Sequence, residues 1–144
     1  MKGAISSHNA SYDVNLVNKN IFLEIKYSRL NNPVRKRKNN SRSLRWAWSK
    51  PFGESDQKVF DRLILIGEKG PKYHNLYKDI ELECPYIFFD VGYDEIAPLT
   101  IRANGKAQHA IQLTTDPRTA RSSASPLFKK YQLTLKDLEA SYGI

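Results

Sequence analysis

Asp13, Glu24 and Lys26 stand close together near the start of the chain, in the stretch SYDVNLVNKNIFLEIKYSR (11–29). Two carboxylates and an ammonium are a set of groups that can handle phosphate esters. Acids held side by side repel, and one pKa must rise unless a cation lies between them. A divalent metal removes the conflict. Mg²⁺ takes hard oxygen ligands and is commonly held by one or two carboxylates, with waters and phosphate oxygens completing its shell. Lys26 would then assist a metal-bound water or steady charge on a phosphate, which is the chemistry of phosphodiester hydrolysis.

That chemistry requires two paired strands. YDVNLV (12–17) and IFLEIKYS (21–28) are rich in β-formers and are joined by an Asn-rich turn. A loop at Asn18-Lys19, or one over 17–20, gives the same register, with Leu16 opposite Ile21, Val14 opposite Leu23 and Asp13 opposite Glu24. Side chains alternate between faces. Tyr12, Val14, Leu16, Leu23 and Ile25 therefore form an apolar face, and Asp13, Glu24 and Lys26 share the opposite one. A slip of one residue would expose the apolar set. Tyr27 is expected to pack on the core face beside Ile25.

Asp13 followed by Glu24-Ile25-Lys26 resembles the D…(D/E)-x-K signature of the PD-(D/E)xK nuclease superfamily, which includes restriction, repair and homing nucleases. The resemblance covers roughly residues 10–92. It is carried by the acid and E-x-K on a hairpin, a Trp-bearing strand, and the apolar runs LILIG and YIFFDV. It departs from the signature at Tyr12, where proline is usual, and the ten residues before the hairpin leave little room for the family's first helix. The resemblance implies a restriction-endonuclease-like fold, a mixed β-sheet flanked by helices. It implies Mg²⁺ held by Asp13, Glu24 and the carbonyl of Ile25, with Asp13, Glu24 and Lys26 as the catalytic residues.

The charge pattern suits such a substrate. The net charge is +8, which favours a polyanionic partner. Arg29, Arg35, Lys36, Arg37, Lys38, Arg42 and Arg45 crowd into residues 29–45 without an acid among them. Interleaved Asn and Ser side chains can hydrogen-bond phosphates or base edges. Arg118 and Arg121, within DPRTARSSASP (116–126), form a second candidate contact. Double-stranded DNA is the expected partner. One chain of this size carries one site, so cutting both strands calls for a homodimer or a higher symmetric oligomer. The alternative from another class is a non-catalytic basic nucleic-acid-binding module in which the carboxylates are structural.

Other classes find no support. His8, His74 and His109 lack zinc-ligand spacing, and Cys84 is the single cysteine. No Walker A, dinucleotide or nucleophile-elbow motif occurs. No apolar run approaches the ~18 residues that span a bilayer, and the start of the chain lacks a signal-peptide apolar region. The expectation is an intracellular, cytoplasmic protein without membrane association.

The 144 residues suit a single domain, 1–144, of mixed α/β (α+β) class. Further strands are predicted over LRWAWS (44–49), VFDRLILIGE (59–68) and YIFFDV (86–91), the first completing a three-strand meander. Leu63–Ile66 reads as a strand covered on both faces. Trp46 and Trp48 share a face and are expected in the core. KGPKYHNLYKDIELEC (69–84) could hold a turn or a short helix. A hairpin is predicted around Asn104-Gly105. A helix is predicted within 133–143, capped by Thr134, with Asp137 in its first turn and Gly143 at its end. Asp90, Asp94 and Glu95 are read as capping or solvated acids.

Overall fold

The computed structural model describes residues 4–5, 14–16, 20–31, 44–53, 58–102 and 109–143. Its strands are β1 (Ala4–Ile5), β2 (Val14–Leu16), β3 (Ile21–Ser28), β4 (Arg45–Ser49), β5 (Arg62–Glu68), β6 (Tyr86–Gly92), β7 (Ile101–Arg102), β8 (His109–Thr114) and β9 (Gln132–Leu133), followed by helix α1 (Leu135–Tyr142). They form a six-stranded sheet of order β1-β2-β3-β5-β6-β9 and a three-stranded sheet of order β4-β8-β7. The class is mixed α+β.

Strand β2 lies antiparallel to β3 with Val14 opposite Leu23, Asn15 opposite Phe22 and Leu16 opposite Ile21, the register that apolar matching predicts. In the connection, Asn20 has a φ of 51°, a left-handed conformation that asparagine tolerates better than most residues. Beyond this pair the order differs from a meander. Strand β3 runs parallel to β5, with Glu24 opposite Leu63 and Lys26 opposite Leu65. A parallel pair requires a crossover, and here the crossover contributes β4 to the other sheet. The tryptophans explain that placement. Trp46 and Trp48 are 0 % and 1 % exposed, and their indole N–H groups donate to the carbonyls of Glu68 at 2.9 Å and Ile66 at 3.0 Å. Buried indoles need such partners, and the carbonyls of β5 supply them across the inter-sheet layer.

Both faces of the large sheet are covered, as the continuous run Leu63–Ile66 requires. On one face Val14, Leu16, Leu23, Ile64 and Phe88 pack with Leu138 and Tyr142 of α1. On the other, Leu63, Leu65, Phe89 and Val91 pack against Trp46, Trp48, Ile111 and Leu113 of the small sheet. Among the described residues this second face is covered mainly by the small sheet, with Leu99 and Leu127 from the short helical segments Ala97–Leu99 and Leu127–Tyr131 in the same core. Gly67 permits the closest approach, because a Cβ there would lie 2.8 Å from Trp46 Nε1 and 2.9 Å from Ile87 Cγ2.

Helix α1 begins and ends where its caps predict. Thr134 Oγ1 accepts from the Asp137 N–H at 3.0 Å, the Asp137 carboxylate accepts from the Thr134 N–H, and Gly143 closes the helix at φ 69°. Glu81 Oε1 accepts from the Leu135 N–H at 2.7 Å. Asp90 ties the helix to the sheet, accepting from Arg62 Nε at 2.6 Å and from the Tyr142 hydroxyl. At 1.5 Å per residue α1 spans only about 12 Å, against roughly 26 Å for β3. Tyr27, expected in the core, is accordingly 51 % exposed, and its hydroxyl donates to the Glu68 carboxylate.

Segment 69–84 forms turns and bends without a helix. The buried Lys69 anchors it, pairing with Asp79 at 2.8 Å, donating to the Glu81 carbonyl at 2.5 Å and lying over the Tyr73 ring. The hairpin predicted around Asn104-Gly105 is present as the antiparallel pair β7–β8; the turn itself lies outside the described residues.

Candidate functional site

Alternation along β3 sends Phe22, Glu24, Lys26 and Ser28 to one face, as predicted. That face is the inner one, packed toward the small sheet, rather than a solvent-facing surface. Glu24 is 1 % exposed and lies beside Leu63, itself 0 % exposed. A carboxylate in such surroundings loses several kcal/mol of hydration, so it survives as an ion only with cations and hydrogen bonds around it. Two ammonium groups answer that demand. Lys58 Nζ lies 2.5 Å from Glu24 Oε2, and Lys26 Nζ lies 4.0 Å from Glu24 Oε1.

Lys58 escaped the sequence reading. It precedes β5 by a few residues and carries no motif; only the parallel alignment of β3 and β5 brings it to Glu24. Its position is built by its surroundings. The Lys58 N–H donates to the Phe52 carbonyl at 2.8 Å. Its stem lies over Gly53, where a Cβ would sit 3.2 Å from Lys58 Cβ, and Gly53 has a φ of 81°, in the region that favours glycine. Asp61 aligns the start of β5 with β3, accepting from the Phe22 N–H at 2.7 Å and donating its own N–H to the Phe22 carbonyl at 2.9 Å.

Asp13 lies outside the described residues. The described oxygen donors are the Glu24 carboxylate and the Ile25 carbonyl, both hard ligands of the kind Mg²⁺ takes. This chemistry fits the ion, with waters and phosphate oxygens to complete its shell. Among the described residues no group of three or more His, Cys, Asp or Glu side chains gathers closely enough to hold a metal ion. Other acids near the start of β5 have structural partners: Asp61 holds Phe22, Asp90 holds Arg62 and Tyr142, and Glu95 accepts from the Tyr131 hydroxyl at 2.8 Å.

The basic residues divide. Arg35, Lys36, Arg37, Lys38 and Arg42 lie outside the described residues. The described residues on either side of them are bridged: the Asn31 N–H donates to the Arg45 carbonyl at 2.7 Å and the Arg45 N–H donates to the Asn31 carbonyl at 2.9 Å. Arg29 is exposed beside this bridge. Arg45 reaches Gln112 Oε1 at 3.4 Å. The second basic segment starts at the same end of the small sheet, because Arg45 pairs with Thr114 and the Thr115 N–H donates to the Leu44 carbonyl. There Arg118 makes a paired contact with Asp116, Nε to Oδ1 at 3.0 Å and Nη2 to Oδ2 at 2.7 Å. These bonds hold the Asp116 carboxyl below its ordinary range. Arg118 is thus engaged in its own turn, while Arg121 is exposed, its carbonyl accepting from Ala124 and Ser125. From Glu24 to Arg29, the residue after β3, is five residue steps, about 16 Å at ~3.3 Å per residue. The carboxylate and the root of the basic segment stand that far apart.

Among the described residues no helix is long and apolar enough to cross a membrane. Comparison of the chain with protein-family models, curated proteins and solved structures yields no match.

Proposed function

We propose that this protein is a Mg²⁺-dependent endonuclease that hydrolyses phosphodiester bonds in double-stranded DNA, with a restriction-endonuclease-like site of the PD-(D/E)xK kind. The observation that carries the reading is the enclosure of Glu24 on β3, beside Lys26 and Lys58, with β2 and β3 paired in the register that apolar matching predicts. Glu24, the Ile25 carbonyl and Asp13 would hold the ion. When bound, Mg²⁺ supplies an acidified water and charge neutralisation at the phosphate. Lys26, 27 % exposed at its side chain, orients that water or meets a non-bridging phosphate oxygen. The inter-sheet packing restricts solvent around Glu24, which strengthens each of these charge interactions. Arg29, Arg45, Arg121 and the basic residues of 35–42 contact phosphates flanking the scissile one. A symmetric dimer would present two such sites to the two strands.

The test is supercoiled plasmid of varied sequence incubated with Mg²⁺, with and without chelator. Nicking that needs the metal and disappears in Glu24→Gln and Lys26→Ala, while both variants still bind DNA, supports the reading. Cleavage in chelator, or full activity in Glu24→Gln, overturns it.

One observation favours the second reading, a non-catalytic nucleic-acid-binding module. The 2.5 Å Lys58–Glu24 contact already gives the carboxylate a structural partner. Under that reading DNA affinity is unchanged by chelator and the protein binds no divalent ion at Glu24.

A further inference from the structure

The ion pair that supports the structural reading has a different consequence if Glu24 is a metal ligand. We propose that Lys58 is the resident counter-ion of Glu24, holding Oε2, so that a divalent cation bound at that oxygen loads by exchange with the Lys58 ammonium. The inference rests on the nuclease reading and assigns Lys58 as a positioning residue within it.

Three observations support the exchange. First, Glu24 is 1 % exposed, and a buried carboxylate without a cation is strongly unfavourable. A site that folds before metal arrives therefore needs an internal substitute. Second, Lys58 Nζ sits 2.5 Å from Oε2 while Lys26 Nζ stands 4.0 Å from Oε1. Lys58 is thus the direct partner, and Lys26 is set back. Third, Lys58 can leave. Its side chain is 19 % exposed against 2 % for Glu24, and a long lysine stem lets the ammonium turn outward while its methylenes stay packed. Glu24, in the middle of β3, has no comparable freedom.

Geometry makes the two cations competitors. Mg²⁺ binds oxygen at about 2.0–2.1 Å. With an ammonium 2.5 Å from the same oxygen, the two positive centres could stand no more than about 4.6 Å apart. A divalent and a monovalent cation so close, in a layer lined by Leu63, repel strongly. Loading the metal at Oε2 therefore displaces the ammonium, and the metal affinity of the wild type is reduced by the cost of that displacement. A displaced Lys58 remains near the site, where a phosphate oxygen can receive it.

The experiment measures binding of Mn²⁺, as a spectroscopic substitute for Mg²⁺, to the full chain without DNA. Free Mn²⁺ is followed by electron paramagnetic resonance, and thermal unfolding is followed in chelator and in excess Mg²⁺. The variants are Lys58→Met, Lys58→Gln and Glu24→Gln. Lys58→Gln keeps a hydrogen-bond donor without the charge and guards against a Lys58→Met chain that fails to fold. The expected result is Mn²⁺ binding to wild type, binding at least about tenfold tighter to the Lys58 variants, and none to Glu24→Gln. Excess Mg²⁺ should also raise the melting temperature of the Lys58 variants more than that of wild type. Unchanged or weaker Mn²⁺ affinity in both Lys58 variants, with binding still lost in Glu24→Gln, overturns the exchange and leaves the nuclease reading standing. Binding unaffected by Glu24→Gln, or absent from every protein, overturns both.

Discussion

Lys58→Met and Glu24→Met break the same ion pair, yet their effects on stability in chelator should differ severalfold. Glu24→Met leaves Lys58 on a flexible stem whose side chain is already 19 % exposed, so its ammonium can move into water. Methionine also fills much of the glutamate volume beside Leu63. The expected cost is under ~1 kcal/mol, and a small gain is compatible with the usual outcome of replacing buried charge by packing. Lys58→Met instead leaves a carboxylate that is 2 % exposed in the middle of a strand. Breaking a buried pair in this way costs about 3–5 kcal/mol. Lys26, 4.0 Å from the other oxygen, partly compensates, which reduces the expectation to ~2–3 kcal/mol. At about 3 °C per kcal/mol for a chain of this size, that is a fall of ~6–9 °C in melting temperature. The assay is urea unfolding of wild type, both single variants and the double variant in chelator at one pH, comparing midpoints at constant slope. The double variant, with neither member of the pair left, should lie close to wild type, giving a coupling energy of ~2 kcal/mol. If Glu24→Met costs as much as Lys58→Met, or the double variant costs the sum of the two, then Glu24 does not depend on Lys58 in the way its burial implies.

Three other outcomes follow from particular contacts. Gly67→Ala forces a methyl within 3 Å of Trp46 and Ile87, and overpacking of this kind costs ~1–3 kcal/mol, to be read as a lowered urea midpoint with altered near-ultraviolet tryptophan circular dichroism. Burial first, and then Asp90 and Asp79 respectively, hold the Tyr142 and Tyr73 phenols above their usual 10.0. The unfolded chain therefore loses these protons first, so their contribution is complete below pH ~10 and is lost as pH rises above it, by up to ~1.4 kcal/mol per unit for each tyrosine. Urea midpoints measured between pH 9 and 11.5 should show that fall, and Tyr142→Phe should make it shallower. Replacing Arg35, Lys36, Arg37 and Lys38 with alanine should weaken DNA binding and flatten the slope of log affinity against log salt by up to ~3–4, if each neutralises one phosphate; an unchanged slope would remove this segment from the interface.

Much of the framework could be read locally. The β2–β3 register followed from matching Val14 and Leu16 to Leu23 and Ile21, because the period of a strand is two and only one register hides both apolar sets. The ends of α1 followed from Thr134, Asp137 and Gly143, because caps act over a single turn. The burial of Trp46 and Trp48 followed from their size and spacing. Tyr27 shows where this reasoning stops. Its alternation was read correctly, but its exposure depended on how far an eight-residue helix reaches along β3.

The sequence by itself determined which residues of β3 share a face and that Glu24 and Lys26 stand together on it. Only the tertiary structure decided what covers that face. The Trp-bearing strand joined a second sheet, Glu24 was enclosed between the two sheets, and the parallel pairing of β3 with β5 brought Lys58 to its carboxylate at 2.5 Å. The physical reason is the range of the forces involved. Alternation and capping are settled by neighbours in the chain, whereas the hydration a carboxylate loses, and the cation that replaces it, depend on segments that meet only when the layers pack.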